Sequence, residues 1–329
     1  MIVVVTGAAG HLGANLVRAL LARGQHVRAF DAAADPRSLA GLEVEYVRGS
    51  VCEPADLRRA LSGADVVYHA AAVISLRMDD WPLLEAVNVQ GTRHVVQACL
   101  DAGVRRLIHF SSIHALRQEP WGVPVDEYSP PALDPRLPPY DRSKAAAEEE
   151  VRAGVAHGLD AVIINPTGMI GPHDYRPSYF GGVLLALGLG RLPALIASGF
   201  DWVDVRDVAD GAILAAERAP AGSRYLLSGH WVSMPDTAHI VGELTGAPVP
   251  RFVAPYWLAR TAARLSDALL RRAPHGAVFN SVSLQALRSN RRISHERAAR
   301  ELGYHPRPFR ATLADLFAFF RRRGLLAPA

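Results

Sequence analysis

Lysine is nearly absent from this sequence. Of its 36 lysine and arginine side chains, only Lys144 is a lysine. A chain that uses arginine almost everywhere keeps an ammonium at one place, where a compact point charge serves better than a broad planar fork. Cysteine is scarce too. Cys52 and Cys99 are the only two, and their separation fits neither a disulfide framework nor metal-ligand spacing, so no metal is expected. A strong excess of one charge is lacking: 36 basic against 32 acidic side chains leave a net charge of +4. The arginines are scattered apart from Arg321, Arg322 and Arg323, a run suited to the end of a helix, and no nucleic-acid partner is expected. The longest apolar stretch, residues 182–199, carries Arg191 and Pro193 and makes a poor membrane span. The chain begins with a β-branched run rather than the basic-then-apolar pattern of an export signal, so a cytoplasmic setting is expected.

What is present is alternation. Residues 2–5 are a β-branched run of the kind buried on both faces of a sheet. A glycine-rich turn follows, Thr6-Gly7-Ala8-Ala9-Gly10-His11-Leu12-Gly13, and then a helical period over 14–23. In the order strand, glycine turn, helix, this pattern points to a dinucleotide site: Gly7 permits the tight turn, Gly10 a close approach to a pyrophosphate, Gly13 close helix packing. The helix start offers free N–H groups to phosphate. A second strand, 26–30, ends at Asp31, placed to accept hydrogen bonds from an adenosine ribose and to repel a 2′-phosphate; NAD is favoured over NADP. Strands at 44–47, 64–69, 106–111 and 161–165 alternate with helices at 54–61, 83–102 and 140–157. Repeated βα units give a doubly wound parallel sheet, an α/β fold of Rossmann type, with functional residues at the C-terminal strand ends.

The single lysine lies four residues after Tyr140, so on a helix the two share a face. A cation beside a phenol lowers the phenol pKa, which would make Tyr140 a proton donor and acceptor near neutral pH.

The glycine turn together with Tyr140-x-x-x-Lys144 resembles the extended short-chain dehydrogenase/reductase family. Further marks stand in order along the chain: His69-Ala70-Ala71-Ala72, Asn88-Val89-Gln90-Gly91-Thr92, Phe110-Ser111-Ser112, Asn165-Pro166-Thr167, residues 203–209, and Leu302-Gly303-Tyr304. The resemblance implies that Tyr140 is the acid/base, that Lys144 holds the nicotinamide ribose and tunes Tyr140, and that Ser112 polarises the substrate oxygen. It also implies a cofactor site lined by Gly7, Ala9, Gly10, His11, Leu12, Gly13, Asp31, Ser50, Val51, His69, Ala70, Ala71, Asn88, Ser111, Tyr140, Lys144, Asn165, Pro166 and Thr167. A homodimer through helices 83–102 and 140–157 is a family expectation.

Departures narrow the chemistry. Sugar 4,6-dehydratases need acidic side chains directly after the catalytic hydroxyl residue; here stand Ile113 and His114. Nucleotide-sugar enzymes resemble one another in an arginine where this chain has Phe200, and an aromatic ring suits an apolar ligand rather than a diphosphate. The wording of residues 165–172 looks closer to dihydroflavonol 4-reductase-like and 3β-hydroxysteroid dehydrogenase-like members, and resembles hopanoid-associated sugar epimerase-like proteins as well. Ile113, His114, Met169, Tyr179, Phe180 and Phe200 are the candidate substrate contacts. The expected organisation is a dinucleotide domain of residues 1–165 plus about 196–222, with a substrate-binding lobe of 166–195 plus 223–329 that includes an amphipathic segment at 257–271. The expected activity is an NAD-dependent oxidoreductase acting on a small, fairly apolar alcohol or ketone. A sugar epimerase with tightly held NAD is the alternative.

Overall fold

The computed structural model describes residues 1–259, 261 and 290–327. Strands β1 (Ile2–Thr6), β2 (His26–Asp31), β3 (Glu45–Arg48), β4 (Val66–His69), β5 (Arg106–Phe110) and β6 (Ala161–Pro166) lie parallel in one sheet. Between them run α1 (His11–Leu21), α2 (Pro54–Leu61), α3 (Trp81–Leu84), α4 (Gly91–Asp101) and α5 (Pro139–Ala156). Side chains alternate between the two faces of each strand. Val3, Val5 and Tyr68 therefore pack with Leu16 and Val17 of α1. Val4, Val67 and Leu107 pack on the other face with Leu57 of α2, Val95 of α4 and Val151 of α5.

The helix expected over 83–102 starts two residues earlier and is not uniform. Residues Glu85–Gln90 form a π-helical turn between α3 and α4. Such a turn widens the helix locally and is common at functional sites; this one carries Asn88.

Downstream come β7 (Gly168–Ile170), α6 (Tyr179–Gly188), β8 (Leu195–Ile196), β9 (Gly199–Asp204), α7 (Val205–Arg218), β10 (Arg224–Leu227), β11 (His230–Ser233), α8 (Met234–Thr245) and β12 (Val253–Ala254). The chain ends with α9 (Glu296–Leu302) and α10 (Phe309–Arg322). Two differences from the sequence-based boundaries follow. Residues 223 onward were expected to leave the sheet, yet β10 pairs parallel with β6 and closes the sheet in the order β10-β6-β5-β4-β1-β2-β3. An unpaired outer edge on β6 would leave its backbone groups without partners. Residues from about 196 are expected to return to the dinucleotide domain, but of the elements between there and residue 222 only α7 packs on its sheet. β9 instead joins β11 antiparallel and β7 parallel in a small separate sheet. That sheet packs with α6, α8 and α10 around Phe200, Trp202, Leu184 and Phe317. The amphipathic segment at 257–271 lies largely outside the described residues.

Candidate active site

The parallel sheet brings the glycine turn, the ends of β4 and β5 and the start of α5 to one edge. Gly7 has φ +68°, and a Cβ there would come within 2.6 Å of the Ala71 nitrogen. A Cβ on Gly13 would lie 2.1 Å from the Gly7 carbonyl oxygen. Both positions are closed to any other residue. The N-cap of α1, Gly10, has no side-chain cap, which leaves the first N–H groups of the helix open to an anion. Asp31 stands against this turn: its Oδ2 accepts from the Ala9 N–H at 2.9 Å and its Oδ1 from the Ala33 N–H at 2.9 Å. A cradle that any Cβ would fill, a free helix terminus and a carboxylate beside it fit a dinucleotide.

Ser112 follows β5 as the N-cap of a short 3₁₀ turn, Ile113–Ala115. Its hydroxyl faces the phenol of Tyr140, in the first turn of α5. One turn further on, Lys144 is 5% exposed and its Nζ donates to the Phe110 carbonyl at 2.9 Å. Burial brings the Lys144 ammonium down to about 8, against support from Glu148. The expected depression of Tyr140 by Lys144 is corrected here. Burial pushes the Tyr140 phenol above its ordinary range; Ser112 pulls it back and Asp141 adds to the rise. Desolvation is the largest influence on the phenol.

The sequence model of the NAD dependent epimerase/dehydratase family matches residues 3–228. The chain belongs to that family. Sterol demethylase protein B from Methylococcus capsulatus is 41% identical over 329 residues, covering 99% of this chain and 100% of that protein. A 4-hydroxy-2-methyl-3-oxo-4-farnesyl-3,4-dihydroquinoline-1-oxide ketoreductase from Stigmatella aurantiaca is 31% identical over 316 residues, covering 91% and 90%. The crystal structure of gox2253 superposes with a TM-score of 0.87 at 33% identity, covering 99% of each chain. The protein is thus an enzyme of the extended short-chain dehydrogenase/reductase type, an oxidoreductase of the epimerase/dehydratase family.

Several side chains read as cofactor contacts are committed within this family member's own interior. His69 is 1% exposed and bonded on both ring nitrogens, to Thr6 Oγ1 at 2.7 Å and Thr92 Oγ1 at 3.0 Å. Thr92 donates to the Asn88 carbonyl, so His69 donates from Nε2 and accepts at Nδ1. Burial lowers it to about 3 and keeps it neutral. Asn88 accepts from the Val73 N–H at 2.8 Å and donates to the Val73 carbonyl and to Ser143 Oγ, which ties the loop after β4 to α5. Asn165 donates to the Ser112 carbonyl at 2.8 Å, and Thr167 donates to Asp201 at 2.7 Å. Ser50 accepts from the Cys52 N–H at 3.1 Å and its own N–H donates to Asp56. Val51 is buried against α4, and Leu12, on α1 itself, is buried in the core cluster on the β1 side. His11 bonds the carbonyls of Gly171 and Pro172. Ala70, Ala71, Ser111 and Pro166 lie at the strand ends.

Among the substrate candidates, Ile113 is in a core cluster with Leu116, Val125, Leu226 and Ile293. Phe200 is 6% exposed and sits 4.9 Å from the Phe180 ring and 5.0 Å from the Trp202 ring. Their side chains are taken up by packing rather than lining an open surface. Met169 and Phe180 keep partial exposure and Tyr179 is exposed. His114 is held against Asp141. Two acidic residues escaped the sequence reading. Asp141 directly follows Tyr140. Glu148, fully buried, accepts from Asn165 at 2.7 Å and from Arg152 at 2.9 Å and pairs with Arg224. The spacing Tyr140, Lys144, Glu148 was the available signal: three polar residues on one helical stripe. Among the described residues no group of three or more His, Cys, Asp or Glu could hold a metal ion, and no helix is long and apolar enough to cross a membrane.

Proposed function

We propose that this enzyme interconverts a secondary alcohol and a ketone on a fairly apolar small molecule, using NAD, with Tyr140 as proton carrier, Ser112 as the group that holds the reacting oxygen and Lys144 as the anchor for the nicotinamide ribose. The observation that carries the reading is the convergence of the Ser112 and Tyr140 hydroxyls one helical turn above the chain's only lysine, next to the glycine cradle. When bound, the nicotinamide supplies the two-electron partner. In the reducing direction Tyr140, its phenol kept protonated by burial, gives its proton to the carbonyl oxygen while Ser112 stabilises the charge gathering there. In the oxidising direction the same oxygen returns the proton to Tyr140. Asp31 supports NAD as the dinucleotide.

An apolar substrate is supported by Met169, Tyr179 and Phe180, which stay partly exposed or exposed on the lobe beyond β6. The relatives named for a sterol and for a farnesylated quinoline act on large apolar molecules, and a polycyclic or prenylated alcohol or ketone is the substrate class proposed. Replacing Tyr140 by Phe is expected to lower kcat by about a hundredfold or more and to leave NAD binding by fluorescence titration intact. Turnover at the wild-type rate would overturn the assignment.

A further inference from the structure

Beside the Ser112–Tyr140 pair stands a second couple that hydride chemistry does not use. His114 Nδ1 lies 3.3 Å from the Asp141 carboxylate. The His114 backbone N–H donates to Ser112 Oγ at 3.2 Å. Its imidazole meets the Tyr140 ring nearly edge-on, with centroids 6.0 Å apart. One residue therefore touches both the serine that would hold a substrate oxygen and the tyrosine that would move its proton. His114, Tyr140 and Asp141 are each partly exposed, with Ser112 buried behind them. An imidazole whose Nδ1–H is held by a carboxylate turns a basic Nε2 outward. Burial works against the charged ring, Asp141 outweighs it, and the His114 pKa is raised.

A carbonyl oxygen bound at Ser112 and Tyr140 has its carbon one bond away and the neighbouring carbon one bond further, and His114 touches both residues that would hold that oxygen. We propose that the His114–Asp141 couple is an acid/base for the carbon next to the reacting carbonyl, exchanging its proton with water. His114 Nε2 takes the C–H proton. The electrons of that C–H bond become the carbon–carbon double bond of an enol form, and the carbonyl π-pair moves to the oxygen, where Ser112 and Tyr140 receive it with hydrogen bonds. The reverse step returns a proton from His114 to the carbon. Nothing is oxidised or reduced. The proposal rests on the reading of Ser112 and Tyr140 as the oxygen site, and it adds an activity: enolisation of the bound ketone.

The test is deuterium uptake. Wild-type enzyme is incubated in deuterated buffer with NAD⁺ and a saturated steroid ketone, and label on the carbon beside the carbonyl is followed by mass spectrometry. NADH-dependent reduction of the same ketone is measured in parallel. Uptake above the protein-free rate is expected. His114→Gln is expected to lower uptake about a hundredfold, well beyond its effect on reduction, and Asp141→Asn to lower it in the same sense. Reduction by wild-type enzyme without uptake above the protein-free rate would overturn the proposal and leave the oxidoreductase reading standing; this comparison needs no variant to fold. An unchanged ratio of uptake to reduction in His114→Gln would overturn it too. A protein that neither reduces nor labels the ketone would overturn both readings.

Discussion

At the scale of single residues, two side chains carry a definite and separable prediction. The Asp31 carboxylate is fixed by the N–H groups of Ala9 and Ala33, and in the proposed cofactor site it is the acceptor for the adenosine ribose. Asp31→Ala is expected to reduce the preference of kcat/KM for NAD over NADP by about tenfold to a hundredfold, the equivalent of one charged hydrogen bond of about 1.5–3 kcal/mol. Steady-state kinetics with both cofactors measures it, and an unchanged ratio would remove Asp31 from cofactor choice. Lys144 gives a prediction in pH. Its folded pKa of about 8 lies below the ordinary 10.5. Between those values the unfolded chain binds a proton that the folded chain has released, so folded stability rises with pH across that window. Below about pH 8 the cost of burying the ammonium is present in full. Relative to Lys144→Met, the wild-type protein is therefore expected to gain stability from about pH 8 to about 10.5 and to show a flat difference at lower pH. Urea titrations of both proteins at stepped pH measure the difference.

At the scale of elements, α5 does more than present Tyr140. Its third polar position, Glu148, joins Asn165 at the end of β6, Arg224 at the start of β10 and Arg152 on its own next turn. Asn165 in turn donates to the carbonyl of Ser112. A buried carboxylate thus ties α5 to the end of β6, whose Asn165 holds the Ser112 carbonyl, and to the start of β10, and burial raises its pKa against the pull of its donors. Removing one member of a buried charged network leaves the others uncompensated. Glu148→Gln is expected to cost about 3–5 kcal/mol of stability, read from the urea midpoint. A change within error would mean that the network is spectator packing. The π-helical turn Glu85–Gln90 plays a matching part on the other side, since it carries the Asn88 side chain that clamps Val73 and Ser143.

At the scale of the whole molecule, the seven-stranded sheet carries the glycine turn and the small sheet of β7, β9 and β11 belongs to an aromatic-rich lobe. A dehydrogenase trades its cofactor on every turnover, whereas an epimerase recycles its own hydride and keeps it. The enzyme is expected to emerge from gel filtration without stoichiometric nicotinamide and to bind added NAD⁺ or NADH reversibly. Ultraviolet absorbance of the denatured supernatant checks this, and one tightly held NAD per chain would shift the assignment to epimerisation.

Local chemistry made part of this protein legible in advance. The β-branched run at residues 2–5, the Gly7, Gly10 and Gly13 spacing, Asp31 and the Tyr140–Lys144 interval are each set by a backbone or covalent constraint acting over a few residues, so the sequence by itself determined the βα alternation and the identity of the candidate acid/base. Other features depend on which distant segments meet. Burial of Tyr140 reverses the direction expected for its pKa, the free edge of β6 recruits β10 from beyond the expected boundary, and packing takes Ile113 and Phe200 into the core. His114 meets Asp141 and Glu148 meets Asn165 and Arg224 only because α5 lies across the ends of β5, β6 and β10. Those contacts come from the tertiary structure, because desolvation and long-range pairing depend on the surroundings of a side chain and not on its neighbours along the chain.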